Sequence, residues 1–241
     1  MAEEKLAPMR AQVYTDPRPK EHFDHFHARV RRAEPSWVYE AVRMTTCLYA
    51  WVFFRLRSYD SWKVPEHGPL ILAPNHFSFM DHFFTGAGVR RRVQFMAKSQ
   101  LFSGLMQYVY SPGGVFPVRR GVADEDAFIS AHAILARSNP IVMYCEGGRS
   151  RTADLAEKPK RGIGRLALES GAVVVPVAIN GSARVRNWKR GQFPRVFVQY
   201  GDPMRWDVVT DPTIDQQQAV ANEIFSAIRA LYRELDARVR S

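Results

Sequence analysis

His76 and Asp81 have the residue types and the spacing of a general base and its partner. They lie in the stretch Pro74-Asn75-His76-Phe77-Ser78-Phe79-Met80-Asp81, directly after an apolar run. A neutral imidazole can take a proton from a hydroxyl near pH 7 when a carboxylate on its other nitrogen fixes the tautomer and stabilises the imidazolium. Residues five positions apart are about 140° apart around a helix, so the chain must bend between the two side chains.

Ser78 and Asp81 have the spacing of a capping box, which predicts a helix with Ser78 as N-cap and Asp81 in its first turn. His76 is then on the loop ahead of the helix, where the bend can bring it to Asp81. The alternative is a polar helix entrance without chemistry. Because one such pair arises easily by chance, the rest of the chain must decide between these interpretations.

The composition predicts one domain with an N-terminal extension and anionic partners. The chain has 241 residues, of which 46% are hydrophobic, which is enough for a large core. Its net charge of +10 favours nucleic acid, phosphorylated small molecules or an acidic membrane surface. Cys47 and Cys145 form neither a disulfide framework nor a metal motif, which suits a reducing compartment. The opening residues lack the pattern of a secretory signal.

The first 64 residues are predicted to be an arm and a helical membrane-docking extension, ahead of a domain at 65–241. Residues 1–20 are expected to be a loose arm. A cluster of possible metal ligands follows, formed by His22, Asp24, His25 and His27. Because these residues do not all share one helical face, we do not favour a metal site there.

A helix is predicted from Ser36, its cap, to about Arg57. Its uncharged run, from Met44 to Phe54, is too short to span a bilayer, but its aromatic residues and its flanking arginines favour the membrane interface. The aromatic residues are Trp37, Tyr39, Tyr49, Trp51, Phe53 and Phe54, and the arginines are Arg43, Arg55 and Arg57. A core helix packed under the domain is the alternative.

From residue 65 onward, short apolar runs alternate with helical segments, which is typical of an α/β fold with a mostly parallel central sheet flanked by helices. The predicted strands are 70–73, 93–97, 114–118, 140–144, 173–179 and 196–200. One helix is predicted to run from after Lys98 to Met106. Further helices are predicted at 124–138, at 162–169 and over an amphipathic stretch from about Val220 to Leu235.

Polar or charged residues follow four successive predicted strands. They are His76 with Asp81, Lys98, Arg119-Arg120, and Glu146 with Arg149. Functional groups of α/β proteins collect at such strand ends. Gly147-Gly148 allows close approach of a ligand, and the arginines and the lysine suit a phosphate. Because such residues recur at four strand ends, a functional site is favoured over surface charges without a function.

These residues resemble the motifs of the glycerolipid acyltransferase family, in the same order and with similar spacing. The matching stretches are Asn75-His76-x-x-x-x-Asp81, Gly114-Val-Phe-Pro-Val-Arg-Arg120-Gly, Glu146-Gly-Gly-Arg149-Ser150 and Val175-Pro176-Val-Ala-Ile. The likeness covers about residues 65–181. Cys145, Gly148 and Arg119 depart from the residues usual in the family, at positions around the expected phosphate site.

The resemblance implies acyl transfer from acyl-CoA or acyl carrier protein to a lysophospholipid hydroxyl, with 1-acylglycerol-3-phosphate as the expected acceptor and phosphatidic acid as the product. His76 would be the base and Asp81 its partner. The acceptor site would comprise Lys98, Arg120, Glu146, Gly147 and Arg149. No metal ion or cofactor is expected, and the protein would work at the cytoplasmic face of an anionic membrane as a peripheral or monotopic protein.

Several alternatives stay open from the sequence. Another acceptor, such as glycerol 3-phosphate or a glycolipid, fits the same motifs, as does a non-catalytic lipid-binding relative. Ser78 or Cys145 could act as a covalent nucleophile, but a thiolate leaves readily enough for direct transfer. A nucleic-acid-binding protein is disfavoured, because no nucleic-acid motif or zinc-ligand spacing accompanies the charge.

Overall fold

Seven strands form one sheet in the computed structural model, which describes residues 6–9, 15–122 and 124–240. In chain order they are β1 (Arg57–Tyr59), β2 (Leu70–Pro74), β3 (Gln94–Lys98), β4 (Val115–Val118), β5 (Pro140–Val142), β6 (Val173–Asn180) and β7 (Phe197–Tyr200). Their spatial order is β1-β7-β6-β2-β5-β3-β4. Among these seven described strands, β6 and β7 pair antiparallel, and the other neighbouring strands pair parallel. The prediction of an α/β fold with a mostly parallel sheet is confirmed.

The helices flank this sheet and precede it. They are α1 (Asp24–Arg32), α2 (Trp37–Phe54), α3 (Asp81–Ala87), α4 (Gln107–Tyr110), α5 (Glu125–Ala136), α6 (Gly162–Ser170) and α7 (Ile214–Arg240). Short 3-10 helices cover Lys20–Phe23, Ser61–Lys63, Ser99–Leu101, Gly104–Met106 and Ser182–Arg190. No helix of the described residues is both long and apolar enough to cross a membrane.

The central strand β2 shows why the parallel strands are continuous apolar runs. Ile71 and Ala73 point to one face of the sheet, where they pack with residues of α5, α6 and α7. Leu70 and Leu72 point to the other face, where they pack with residues of α2 and α3. A strand covered on both faces must be apolar at every position, and all five residues of β2 are buried.

Helix α2 begins where the sequence predicts, because the Ser36 hydroxyl accepts a hydrogen bond from Val38 N at 3.3 Å. Its aromatic residues do not share one environment. Tyr39 and Phe54 are buried in the core, whereas Trp37 and Trp51 are 76% and 72% exposed. The prediction that all six aromatic residues serve an interface is therefore wrong for Tyr39 and Phe54. An exposed apolar face remains, formed by Trp37, Met44, Leu48, Trp51 and Val52.

The segment after Lys98 differs from the prediction of one helix through Met106. Two 3-10 turns and the short α4 take its place. Ser103 is extended, and Gly104 adopts a left-handed conformation with φ +59°, so a continuous helix cannot pass through them. Strand β1, ahead of residue 65, and the 3-10 helix Ser182–Arg190 have no counterpart in the prediction, since neither carries a periodic apolar pattern.

The N-terminal arm is not loose at Asp16 and Arg18. The Arg18 guanidinium pairs with the Asp16 carboxylate, and it donates hydrogen bonds to the carbonyl oxygens of Ser99 and Phe102, both at 2.7 Å. These contacts attach the arm to the turn that follows Lys98. Residues 1–5 and 10–14 of the predicted arm lie outside the described residues.

Candidate functional site

The four predicted strand-end clusters lie at one edge of the sheet. They follow β2, β3, β4 and β5, which are parallel and adjacent in the order β2-β5-β3-β4. The carboxyl ends of parallel strands meet at the same edge, and this is where α/β proteins place their functional groups. The sheet therefore brings together segments that are up to about 70 positions apart in the sequence.

Asn75 fixes the start of the loop that carries His76. Its side chain is fully buried and forms two hydrogen bonds with the backbone of Ile179 on β6. Its Nδ2 donates to Ile179 O at 3.1 Å, and its Oδ1 accepts from Ile179 N at 2.7 Å. The amide therefore continues the β2–β6 pairing for one residue past the strand, so that His76 leaves the sheet at a defined point.

A single carboxylate oxygen organises the His76 loop. Asp81 Oδ2 lies 2.9 Å from His76 Nδ1 and accepts hydrogen bonds from the backbone N–H groups of Phe77 and Ser78, both at 2.7 Å. Both side chains are buried. With Nδ1 directed at Asp81, the nitrogen left to accept a proton is Nε2. This is the arrangement of a general base and its orienting carboxylate.

The predicted capping box forms only in part. Helix α3 begins at Asp81 with Met80 as its N-cap, so the assignment of Ser78 as N-cap is wrong. Asp81 does reach back to Ser78 N, but the Ser78 hydroxyl accepts from Met80 N at 3.2 Å. The reason is that the Asp81 carboxylate also accepts a hydrogen bond from Phe77 N and contacts His76 Nδ1. These contacts hold the chain in a tight loop before the helix starts.

The loop after β5 is joined to the His76 loop through the backbone N–H and C=O groups of His76. Ser150 N donates to His76 O at 2.9 Å, and His76 N lies 3.4 Å from Glu146 Oε1. Burial, with a smaller contribution from the negative charge of Asp81, raises the pKa of Glu146 to about 8. Glu146 is therefore mainly protonated at neutral pH and contributes little negative charge beside His76.

Gly147 supplies a backbone conformation that its position requires. Its φ is +68°, and a Cβ there would lie 3.1 Å from Lys160 Cγ. The adjoining chain is held by a hydrogen bond of 2.7 Å from Lys160 N to Cys145 O. Glycine thus permits the left-handed turn that separates Glu146 from Arg149 in the chain.

The positive charges of Arg120 and Arg149 act on both Lys98 and His76. Partial burial and the charges of Arg149 and Arg120 lower the pKa of Lys98. Burial lowers the pKa of His76 most, the bond to Asp81 opposes this change, and the charges of Arg149 and Arg120 lower the pKa further. His76 is therefore neutral at pH 7 and lies in the positive field of Arg149 and Arg120.

Neither candidate covalent nucleophile has the surroundings of one. Cys145 is buried, and burial raises the pKa of its thiol. The Ser78 hydroxyl is buried and bonds Met80 N, while the histidine nearby is directed at Asp81. A nucleophile needs an adjacent base or a lowered pKa, and neither residue has one.

The histidines at 22–27 do not share one environment. His27 is buried, with its Nδ1 2.8 Å from the hydroxyl of Ser130 on α5. Throughout the part of the chain that the structure describes, no group of three or more His, Cys, Asp and Glu side chains could hold a metal ion.

Three residues beside the site were missed by the sequence analysis: Tyr144, His82 and Arg186. The Tyr144 ring stacks on the His76 imidazole, and its hydroxyl lies 3.1 Å from His82 Nδ1. Arg186 donates to Ser150 O at 2.6 Å and to Arg151 O at 2.8 Å. His82 directly follows Asp81, which was the only available signal, whereas Tyr144 and Arg186 belong to other elements.

Comparison with known proteins gives the family. The model of the acyltransferase family matches residues 55–180, which is more than half of the chain. The protein therefore belongs to the acyltransferase family. Among solved structures, it is similar to the crystal structure of the 1-acyl-sn-glycerophosphate (LPA) acyltransferase, PlsC, from Thermotoga maritima, with a TM-score of 0.61 and 19% identity over 90% of this chain and 89% of that chain. This likeness supports the fold.

We predict that replacing Arg186 by methionine destabilises the protein. The change removes charged hydrogen bonds to Ser150 O and Arg151 O, which should cost about 1–3 kcal/mol of unfolding free energy. Urea denaturation of the two variants measures this, with Arg184→Met as the matched control, because Arg184 lies on the same 3-10 helix and is exposed. The control should change stability by less than about 0.5 kcal/mol. Equal losses in the two variants would contradict the assignment.

Proposed function

We propose that this protein moves a fatty acyl group from an acyl thioester, either acyl-CoA or acyl carrier protein, to a lysophospholipid hydroxyl. The proposed acceptor is 1-acylglycerol-3-phosphate, and the product is phosphatidic acid. The observation that carries the proposal is the buried pair of His76 Nδ1 and Asp81 Oδ2, which lie 2.9 Å apart. The pair lies at the edge of the sheet where the strands followed by Lys98, Arg120 and Arg149 also end. The relative from Thermotoga maritima is described as an LPA acyltransferase, which agrees with this acceptor.

The proposed reaction is a direct transfer with His76 as base. Nε2 removes the proton of the acceptor hydroxyl as its oxygen attacks the thioester carbonyl carbon. The carbonyl oxygen becomes negative in the tetrahedral intermediate, and the field of Arg149 and Arg120 favours that charge. When the intermediate collapses, the carbon–sulfur bond breaks, and the imidazolium returns its proton to the departing thiolate. Asp81 stabilises the imidazolium between these two steps.

The acceptor phosphate is proposed to bind on the β3–β4 side of His76. Lys98 and Arg120 follow these strands, and Arg149 comes from the loop after β5. The charges of Arg149 and Arg120 contribute to lowering the pKa of Lys98, so an anion placed between the three cations would relieve their repulsion. A guanidinium can also hold a phosphate through two parallel hydrogen bonds. Glu146 and Gly147 shape the same loop. Glycerol 3-phosphate and phosphorylated glycolipids have the same anionic group and are the alternative acceptors.

The exposed face of α2 is proposed to dock on the membrane, where a lysophospholipid resides. Trp37, Met44, Leu48, Trp51 and Val52 form this face, and Arg55 and Arg57 beyond the helix end are exposed. Tryptophan favours the interfacial zone of a bilayer, and arginine meets anionic head groups. The protein would then act as a peripheral or monotopic protein at the cytoplasmic face. Phe54, packed against Phe84, would attach the docking helix to the core.

We predict that His76→Ala abolishes acyl transfer, and that Asp81→Asn lowers kcat strongly with a smaller effect on binding. The first variant loses the base, and the second loses the charge that stabilises the imidazolium. Purified protein is incubated with a labelled acyl thioester and a panel of lysophospholipids, glycerol 3-phosphate and glycolipids. His22→Ala is the control for a histidine change, because His22 is exposed. More than a few per cent of residual activity in folded His76→Ala would show that His76 is not the base.

We predict that Arg149→Lys raises the KM of the acceptor while the KM of the thioester barely changes. Lysine keeps the charge but cannot form two parallel hydrogen bonds with a phosphate. Steady-state kinetics with each substrate varied in turn measures both constants. Arg151→Lys, two positions away and exposed, is the matched control. A phosphate site at Arg149 is rejected if both KM values rise equally or if neither one changes.

We predict that replacing Trp37, Leu48 and Trp51 together by serine releases the protein from anionic vesicles. Phe54 is left unchanged because it is buried, so the variant tests docking rather than folding. Flotation at low salt with anionic and neutral vesicles measures binding, and wild type should prefer anionic vesicles and dissociate as salt rises. Transfer to a detergent-dispersed acceptor should persist.

The control for docking is Trp62→Ser, because Trp62 is 79% exposed but lies outside α2. It should leave flotation unchanged. If the triple variant floats as wild type does, the docking surface lies elsewhere; if it unfolds, α2 is mainly a core helix.

A further inference from the structure

Tyr144 covers one face of the His76 ring. It lies two residues beyond the end of β5, and the centroids of the two rings are 3.8 Å apart with planes inclined by 22°. Asp81 contacts the same imidazole in its plane through Nδ1 at 2.9 Å. A hydrogen bond in the plane and an aromatic ring against the face restrict different motions. Together they fix both the direction and the tilt of the imidazole.

The Tyr144 ring is itself held by the helix that carries Asp81. Its hydroxyl lies 3.1 Å from Nδ1 of His82, the residue after Asp81. Burial lowers the pKa of His82 to about 4, and burial raises the pKa of the Tyr144 phenol well above its usual value. At neutral pH both groups are therefore uncharged, and one hydrogen bond joins the phenol hydroxyl to Nδ1 of His82. One turn of α3 therefore positions both the carboxylate and the aromatic partner of His76.

A stacked aromatic ring favours the charged form of His76. The face of an aromatic ring carries negative charge density, which attracts a cation lying against it. His76 becomes a cation when it takes the proton of the acceptor, and burial opposes that charge. The Tyr144 ring offsets part of this opposition at the step where the charge forms. An aliphatic side chain of similar size has no such charge distribution.

We propose that Tyr144, held by His82, is a positioning residue for His76 that fixes the tilt of its imidazole and stabilises its imidazolium form. The effect on reaction rate rests on the proposed acyl transfer. The effect on the protonation of His76 does not, because the ring contact exists without a substrate. The two effects can therefore be measured separately.

The kinetic test compares Tyr144→Leu with Tyr144→Phe, which keeps the ring. Tyr144→Leu should lower kcat about tenfold with both KM values within twofold, because a poorly oriented base slows chemistry more than binding. Tyr144→Phe should lower kcat only about twofold to threefold. Thermal unfolding of both variants checks that they are folded. Equal kcat values for the two variants would overturn the role of the ring.

The second test measures the protonation of His76 by NMR titration of histidine-labelled protein, with the signal assigned from His76→Gln. Loss of the ring removes stabilisation of the imidazolium, so the pKa of His76 should fall by about 0.5 in Tyr144→Leu and stay unchanged in Tyr144→Phe. The acidic limb of kcat/KM should move to lower pH by the same amount. An unchanged or raised pKa in Tyr144→Leu overturns the proposal. The other charged or titratable groups that act on His76 stay in place in both variants; they are Asp81, His82, Glu146, Arg120 and Arg149.

The third test asks whether His82 acts through Tyr144. Tyr144→Phe and His82→Leu each remove the hydrogen bond between them, so the double variant should have a kcat close to that of the weaker single variant. Independent, multiplying losses would show that His82 acts on its own and would overturn that part of the proposal. If no acyl transfer is found with any substrate, the proposed function fails, but the titration of His76 still decides the inference about Tyr144.

Discussion

The candidate site depends on one carboxylate oxygen, Asp81 Oδ2, which accepts hydrogen bonds from two backbone N–H groups and contacts His76 Nδ1. The two N–H groups are those of Phe77 and Ser78, so the same atom shapes the loop and orients the imidazole. Without this carboxylate, two buried donors would lose their acceptor, which costs far more than the loss of a surface contact. Loop geometry and base orientation are thus coupled in a single interaction.

The charges around His76 keep its imidazole neutral at pH 7, and the proposed reaction requires the same imidazole to become positively charged for a short time. Burial, Arg120 and Arg149 lower the pKa of His76, and Asp81 raises it. Glu146, the other nearby carboxyl group, has a pKa of about 8, so it adds little negative charge at neutral pH. In the proposed reaction, the positive field would act on an anionic ligand, and Asp81 would stabilise the imidazolium.

Much of the fold could be predicted because it is recorded in local patterns. Strands β2 to β7 contain apolar runs, so each was expected close to its observed position, as were α5 and α6. The apolar periodicity of α7 predicted its centre, and the helix extends beyond the predicted stretch at both ends. Strand β1 was missed, because three polar and aromatic residues at a sheet edge carry no pattern of their own. The helix expected after Lys98 was wrong, because Gly104 allows a left-handed turn that propensity alone does not specify.

The sequence by itself determined the class of fold, the spacing of His76 and Asp81, and the charged residues that follow four strands, because these features depend on residues close together in the chain. Only the tertiary structure decided that Tyr144 stacks on His76 and that Arg186 binds the carbonyl oxygens of the Ser150 loop. It also decided which face of α2 is buried, since that helix is apolar on both sides. Contacts between separate elements depend on how the sheet orders its strands and on which helices cover each face, and no local pattern records that choice.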